Sequence, residues 1–331
     1  RVYRTCGTPC RASRVFLPFC CSQGRIFWIF TEIIFAAWIL LATSNKQFRP
    51  RWNAISIALG FFLFITVITS FTGINFERSF WSTLERMAGT INWIHLVMFF
   101  FVLTSTFYSI SDWRKLVSAS FIVASIVSLI FLFQKIGISI IPFDTKDGST
   151  IGNSSFMSAY LLFNIFFGMW LFYKEHIPQK QALYGIGIAL LILSMFFSTA
   201  YGALLSMLGG FLIFLLAWLF FAEKLKFARA VAISIFAVGI VFGGIVTFGA
   251  LTQNKAIVDK LPNFFSSASI GARKVVWNMA WQGVKERPIL GWGPENFNAV
   301  FTKYFNPCLP LDKCGGEVWF DRTHNVILDN L

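Results

Sequence analysis

Eight apolar runs, each about long enough to cross a bilayer, constrain the fold of this chain more than any other feature. An α-helix needs about 20 apolar residues to span the hydrocarbon core of a membrane. Only 13% of the residues are charged, about half the share in a typical soluble protein, and Glu32 is the main charge within the runs. The sequence therefore predicts an all-α, polytopic transmembrane helical bundle in residues 26–250. The runs lie near residues 26–43, 53–74, 87–110, 116–134, 155–173, 181–200, 202–221 and 229–250.

The loops between the runs alternate in charge. In one set, basic residues stand beside about as many acids: Arg78, Arg86, Lys135 and Lys146 with Glu77, Glu85, Asp144 and Asp147. The other set carries basic residues almost alone: Lys46, Arg49, Arg51, Arg114, Lys115, Lys174, Lys180, Lys224, Lys226 and Arg229. Because Lys and Arg in short loops mark the cytoplasmic side, we expect the second set inside and residues 251–331 outside. The net charge of +13 then reflects membrane topology, and we expect no nucleic-acid partner.

The two ends of the chain differ from its middle. Residues 1–25 carry five Arg, no acid and four of the six cysteines, which fits an outside location poorly. We interpret them as an atypical start, and a non-native origin is one explanation. Residues 251–331 are predicted to form a large extracytoplasmic loop with interfacial helices, followed by the start of a further span. We therefore expect a fragment, truncated at both ends.

The stretch SIGARKVVWNMAWQGVKERPILGWG, residues 269–293, predicts a helix in the large loop. Ser269 is a candidate N-cap and Pro288 ends the helix. Arg273, Trp277 and Trp281 share one face, and two Trp on a face are typical of a helix at the membrane interface. The guanidinium of Arg273 either reaches lipid headgroups or holds a phosphate in a cavity.

Two further stretches each leave two interpretations. In STIGNSSFMSAYLLF, Asn153 either caps a helix, the favoured interpretation, or forms a turn with Gly152 whose free amides meet a polar ligand. Cys308 and Cys314 are either free thiols or a disulfide, which an oxidising exterior would permit. Their spacing is not that of a zinc site, and no other metal signature is present.

The stretch FDRTHN holds one of only three histidines in the chain. Thr323 or Asn325 can cap a helix that begins at Val326, which places His324 at the positive end of that helix. Such a position favours neutral imidazole, a competent general base near pH 7, and Arg322 beside it can hold a phosphate. A histidine exposed in a solvated loop is the alternative.

These stretches together resemble the O-antigen ligase and polymerase family of bacterial membrane glycosyltransferases. The resemblance rests on IGNSSFMSAYL, ARKVVWNMAWQGVKERPILGWGPENF and FDRTHN, in that order. It implies about a dozen helical spans in the bacterial plasma (inner) membrane and chemistry at the outer face. The family moves a glycan from an undecaprenyl-pyrophosphate carrier to an acceptor hydroxyl on lipid A core, another glycan or a protein. It uses neither a metal nor another cofactor.

The resemblance also implies roles for particular residues. His324 matches the general base, and Arg273 matches an external-loop arginine that contacts pyrophosphate; Arg322, Arg86 and Asn153 are weaker candidates for pyrophosphate or glycan. Many relatives have an Arg before Gly where this chain has Tyr201. A lipid-linked glycan transporter is the rival from another class, but transporters place ionisable groups within their spans. The nearly charge-free spans favour an enzyme.

Overall fold

A computed structural model of the chain describes residues 13–83, 86–138, 148–198, 200–221, 267–311, 314 and 316–329. Within these ranges it describes the side chains from Gly24 onward, except those of residues 201, 218–221 and 267–271. Residues 1–12, the predicted span 229–250 and the loop start 251–266 lie outside this part. Every element within the described part is helical, so the all-α prediction is confirmed. A 3₁₀ turn, Lys46–Phe48, follows the first helix. The α-helices are α1 (Ser13–Ser44), α2 (Ala54–Thr72), α3 (Phe76–Trp81), α4 (Thr90–Thr106), α5 (Ile110–Lys135), α6 (Ser154–Lys174), α7 (Pro178–Phe197), α8 (Tyr201–Phe221), α9 (Ser267–Glu286), α10 (Phe297–Lys303) and α11 (Val326–Asp329).

Five helices in the described part are long and apolar enough to cross a membrane. They are α1 over Gly24–Ser44, α2, α5, α6 and α7, while α4 and the Gly202–Ala217 part of α8 are shorter apolar helices. Because a spanning segment must satisfy its backbone hydrogen bonds internally, a helix is the structure expected for each. The chain is a multi-pass membrane protein, as predicted.

Some helices begin before the boundary predicted from their apolar run, because polar residues extend the helix beyond that run. Ser109 and Asp112 form a capping box, and α5 therefore begins at Ile110. Arg114 and Lys115 lie in the first turns of α5, and their predicted placement in a loop was wrong. At the other end of the chain α1 begins at Ser13, so residues 13–25 continue the first helix instead of preceding it.

The chain divides into two compact units, and the first comprises Arg1–Phe107 and Ile245–Leu331. Its spans α1 and α2 pack against α4. The α1–α4 contact carries the charge that stood out in the first apolar run: Glu32 Oε1 lies 3.1 Å from Nε2 of buried His95. Trp28 stacks on the same imidazole with ring centroids 5.2 Å apart, so the polar pair is shielded on one side by an aromatic ring.

The second unit comprises Tyr108–Gly244, and its described part contains α5, α6, α7 and α8. Its core is apolar, with Phe121, Phe131 and Leu161 among its buried members. A Cβ at Gly168 or Gly187 would collide with the ring of Phe121, so these glycines let the helices approach closely around it. Small polar side chains bond across the same interfaces, for example Ser158 with Ser198 (2.6 Å) and Ser120 with Asn164 (2.8 Å).

Candidate functional site

In the first unit, the turn between α9 and α10 is fixed to the end of α2 and to α3. The carbonyl oxygen of Trp292 accepts a hydrogen bond from the backbone N–H of Ile74 (3.1 Å). Buried Asn296 donates from Nδ2 to Ser79 Oγ (2.8 Å). Gly293 has φ +88°, and a Cβ there would lie 2.9 Å from the Cα of Gly73. Both the backbone angle and the contact require glycine.

Helix α9 packs one face against the segment that follows it. Ala272, Val276 and Met279 are buried there with Phe301 and Phe320. These apolar contacts place α9 beside α10 and beside the start of FDRTHN, and thereby orient the loop that carries the predicted base.

The exposed side of α9 carries the residues that the sequence singled out. Trp277 is half-buried, and its Nε1 donates to the carbonyl oxygen of Thr323 (2.9 Å). Arg273, one turn earlier, is exposed, and Trp281 is 49% exposed. The helix ends at Glu286, shortly before Pro288, as predicted, but it begins at Ser267. Ser269 is therefore inside the helix, and its predicted role as the N-cap was wrong.

Glu295 is the centre of a charged network that links the ends of distant segments. Its side chain is 10% exposed and pairs with the guanidinium of Arg322. Ser82 Oγ donates to its Oε2 (3.0 Å), and Arg78 Nε donates to its carbonyl oxygen (2.8 Å). Glu295 itself has φ +61°, a left-handed conformation that is unusual for a residue with a side chain. The fixed Gly293–Asn296 turn holds it there.

Arg86 joins the same network through an ion pair with Asp321. Burial lowers the pKa of the Arg86 guanidinium, and the positive charges of Arg322 and Arg78 lower that pKa further, against the opposing charge of Glu295. Arg78 and Arg322 therefore both lie close enough to Arg86 to repel its charge. We call Arg78, Arg86 and Arg322 the arginine cluster. Its acids, Glu295 and Asp321, balance much of its charge.

His324 lies beside this network, two residues after Arg322. Its side chain is exposed and makes no hydrogen bond or ion pair to the residues that the structure describes; the ring of Phe320 contacts it edge-on at 6.0 Å. Its φ is +54°, so the backbone is strained at this residue. The imidazole nitrogens are open to a ligand.

The residues around His324 hold the loop rigidly. Thr323 is buried and donates from its backbone N and Oγ1 to Asp329 Oδ1, at 2.9 and 2.7 Å. Asn325 Oδ1 accepts from the backbone N–H of Ile327 (3.0 Å), so Asn325 is the residue that caps α11. The hydrogen bonds of Thr323 and Asn325 therefore hold the backbone on both sides of His324.

The remaining predicted residues have clear placements. Asn153 is in the second unit, where its Oδ1 accepts from the amides of Ser155 and Phe156 at the start of α6. These two hydrogen bonds are those that the capping interpretation predicts. Cys308 and Cys314 are joined as a disulfide, with Cα atoms 5.7 Å apart. Within the described ranges, no group of three or more His, Cys, Asp or Glu is placed to hold a metal ion.

Sequence reasoning did not select Arg78, Glu295 or Asp321 as site residues. Asp321 and Arg322 are adjacent in FDRTHN, and the acid was visible there as part of a polar group. Glu295 follows two glycines and a proline in GWGPENF, and this pattern indicates that Glu295 lies in a turn. Arg78 has no local signal, because its partner is 217 residues away along the chain.

Residues 186–331, a little under half of the chain, match the family described as O-antigen ligase. Over these residues the chain is similar to the O-antigen ligase family. The ligase-family region contains Arg273, Glu295, Arg322 and His324, so the family resemblance is confirmed over the segment that carries the predicted base. Arg78, Arg86 and Asn153 precede it. No curated protein and no solved structure gives a significant match to the chain.

Proposed function

We propose that this protein is a glycosyltransferase that transfers or polymerises a surface glycan. The donor is a glycan on an undecaprenyl-pyrophosphate carrier, and the acceptor is a hydroxyl group of lipid A core or of another glycan. A protein hydroxyl is the alternative acceptor. One observation carries the proposal: within the region that matches O-antigen ligase, an exposed histidine without a hydrogen-bond partner in the described part of the chain lies two residues after an arginine that is held in place by a carboxylate.

The proposed reaction uses His324 as the general base. The acceptor oxygen attacks the anomeric carbon of the donor sugar while a ring nitrogen of His324 takes the hydroxyl proton. The bond between the anomeric carbon and the pyrophosphate oxygen breaks, and its electron pair leaves with the pyrophosphate lipid. Attack opposite the leaving group inverts the anomeric centre. General base catalysis of this kind contributes about 10²–10⁴-fold to a rate.

The leaving group is a stable anion and needs positive charge more than a proton. Arg273 is exposed and forms no ion pair with the described residues, so its charge is available to a pyrophosphate. Arg86 and Arg322 contact their acids through Nη2 and are 33% and 38% exposed, which leaves further N–H donors for an anion. Because the acids fix the guanidiniums in advance, little reorganisation is needed as charge develops on the leaving group.

We place the reaction at the outer face of the bacterial plasma membrane, with residues 251–331 extracytoplasmic. The Cys308–Cys314 disulfide supports this location, because disulfides persist in oxidising compartments. The alternation of basic loops supports it as well.

The test is transfer by the purified chain reconstituted in liposomes with a lipid-linked glycan. We expect His324→Ala to lower the rate by about 10²–10⁴-fold. His176→Ala is the matched control, because His176 is also an exposed loop histidine, between α6 and α7, and should leave the rate unchanged. Supplying lipid A core, a glycan and a protein in turn identifies the acceptor. Near-full transfer by His324→Ala would exclude the histidine mechanism, and flipping without transfer would favour a transporter.

A further inference from the structure

The turn between α9 and α10 presents two apolar side chains to the outside of the protein. Ile289 is 89% exposed, more than any other large apolar side chain in the described part, and Leu290 is 43% exposed. Between them and α10 the turn is rigid, since Trp292 Nε1 donates to the carbonyl oxygen of Gly283 (3.0 Å). The guanidinium of Arg287 also stacks on the Trp292 ring, 4.8 Å from its centroid, and adds a second contact within the turn. Two neighbouring apolar side chains exposed on a turn that is held in place indicate a contact with an apolar partner.

The attachment of this turn to α2 gives its depth in the membrane. Helix α2 has 19 residues and therefore rises about 28 Å, close to the roughly 30 Å thickness of a hydrocarbon core. The backbone of Ile74, just beyond the end of α2, bonds to Trp292, and Gly73 lies against Gly293. The turn is thus fixed at the level where α2 leaves the hydrocarbon. Ile289, three residues before Trp292, lies within about 10 Å of that level.

Exposed apolar residues continue on the α2 side of the attachment. Phe71 is 67% exposed, Ile74 is 49% exposed and Phe76 of α3 is 41% exposed. On α9, Trp281 and Lys285 are exposed next to the turn. Aromatic and basic side chains flanking apolar ones are typical of segments that lie in the membrane interface.

We propose that the turn 287–293 is a membrane anchor: Ile289 and Leu290 insert among the acyl chains of the leaflet at the α3 end of α2. The anchor fixes the end of α9 to the bilayer surface. Insertion needs only the apolar side chains and their depth, so it does not depend on the glycosyl transfer proposed above.

Depth-dependent quenching of a fluorescent amino acid tests the anchor. The probe replaces Ile289 in the full chain, reconstituted in nanodiscs with lipids brominated on their acyl chains. We expect strong quenching by the brominated lipid and weak quenching by aqueous iodide. The matched control carries the probe at Thr302, which is exposed on α10 and polar, and there iodide should quench severalfold more strongly than the lipid.

A second variant separates insertion from proximity. With the probe at position 290, Ile289→Asp should lower acyl-chain quenching severalfold, because a charge in the leaflet is costly. Val318→Asp, at a residue that is 70% exposed elsewhere in the same segment, should leave the quenching unchanged. Equal iodide quenching at positions 289 and 302 would overturn the proposal. Protection of position 289 from both quenchers would overturn it too, since that result indicates a protein partner.

Discussion

The helices of the second unit are held together mainly by apolar packing, whereas the segment 267–329 of the first unit is attached to residues 74–86 mainly by polar and charged contacts. Phe121 fills the space between glycines of α6 and α7, and the bonds around it are short hydroxyl and amide contacts. In the first unit, Glu295, Asn296 and Asp321 bond to Arg322, Ser79 and Arg86. In the first unit, too, the packed face of α9 is apolar. The two units therefore differ in the contacts that attach the segment 267–329 to the spans.

The contrast between apolar and polar contacts follows from the two surroundings, lipid around the spans and water beyond their ends. Between helices in lipid, apolar contacts gain packing but little hydrophobic driving force, so close approach and small residues matter most. Charged side chains are costly there and gather beyond the ends of the spans. The second unit follows this rule: its ion pair Arg114–Glu175 joins the start of α5 to the residue that follows α6. The groups that we propose for a charged substrate therefore lie beyond the spans, in the attached segment and in the loop that carries Arg86.

Phe121→Ala should have the largest effect on stability. The ring is 4% exposed and touches both Gly168 and Gly187, so its removal leaves a cavity between three helices. We expect a loss of about 3 kcal/mol in the free energy of unfolding, at the lower end of the range for Phe→Ala in cores. Thermal unfolding of the purified protein in detergent, followed by helical circular dichroism, measures it.

Phe196→Ala is the matched control, because Phe196 is 65% exposed on α7 and borders no such glycines. It should change the unfolding temperature little. Equal losses in the two variants would mean that the second unit does not depend on the packing around Phe121.

Gly293→Ala should have the next largest effect, through the attachment in the first unit. The new Cβ meets the backbone of Gly73 and Ser79 Oγ, both at 2.9 Å, at a residue with φ +88°. Strain and collision together should cost about 2 kcal/mol. Glycosyl transfer should fall as well, because Glu295 would shift and release Arg322.

Gly60→Ala provides the control in the same unit. Nothing lies within 4 Å of a Cβ at Gly60 in the interior of α2, so alanine there should be neutral or stabilising, by up to about 1 kcal/mol. If Gly293→Ala behaved like Gly60→Ala in unfolding and in transfer, the turn between α9 and α10 would not be what attaches the segment 267–329 to α2 and α3.

The sequence predicted the fold class because the bilayer permits few structures, and apolar runs of sufficient length identify the helices. It did not predict where α5 and α9 begin, because the Ser109–Asp112 capping box and the residues before Ser269 extend those helices beyond their patterns. For the candidate site, FDRTHN identified His324 and Arg322. The pairing of Arg86 with Asp321 could not be predicted, because 235 residues separate them and neither has a local signal for the other.

Glu286→Gln should have the smallest effect and should depend on pH. Glu286 at the end of α9 binds Lys303 Nζ (2.6 Å) and the hydroxyl of Tyr304, beyond α10. The hydrogen bond from Lys303, then that from Tyr304, lowers the pKa of the carboxyl, and the same contact raises the pKa of Lys303. Because the pKa of this carboxyl is lower in the folded state than in the unfolded state, its ionised form stabilises the fold at pH values above the unfolded-state pKa. That stabilisation is lost as pH falls through the folded-state pKa. The Lys303 contribution is lost only as pH rises through its raised pKa.

The contribution should therefore be present at neutral pH and disappear in the acid range. Unfolding temperatures of the parent and Glu286→Gln should differ slightly at pH 7 and converge as pH falls below the usual carboxyl range. The effect is small because water screens exposed pairs. Glu317→Gln, at an exposed glutamate without an ion pair in the described part of the chain, should follow the parent at every pH. If Glu286→Gln did so too, charge pairing between α9 and α10 would add nothing, and the apolar face of α9 alone would hold that part of the first unit together.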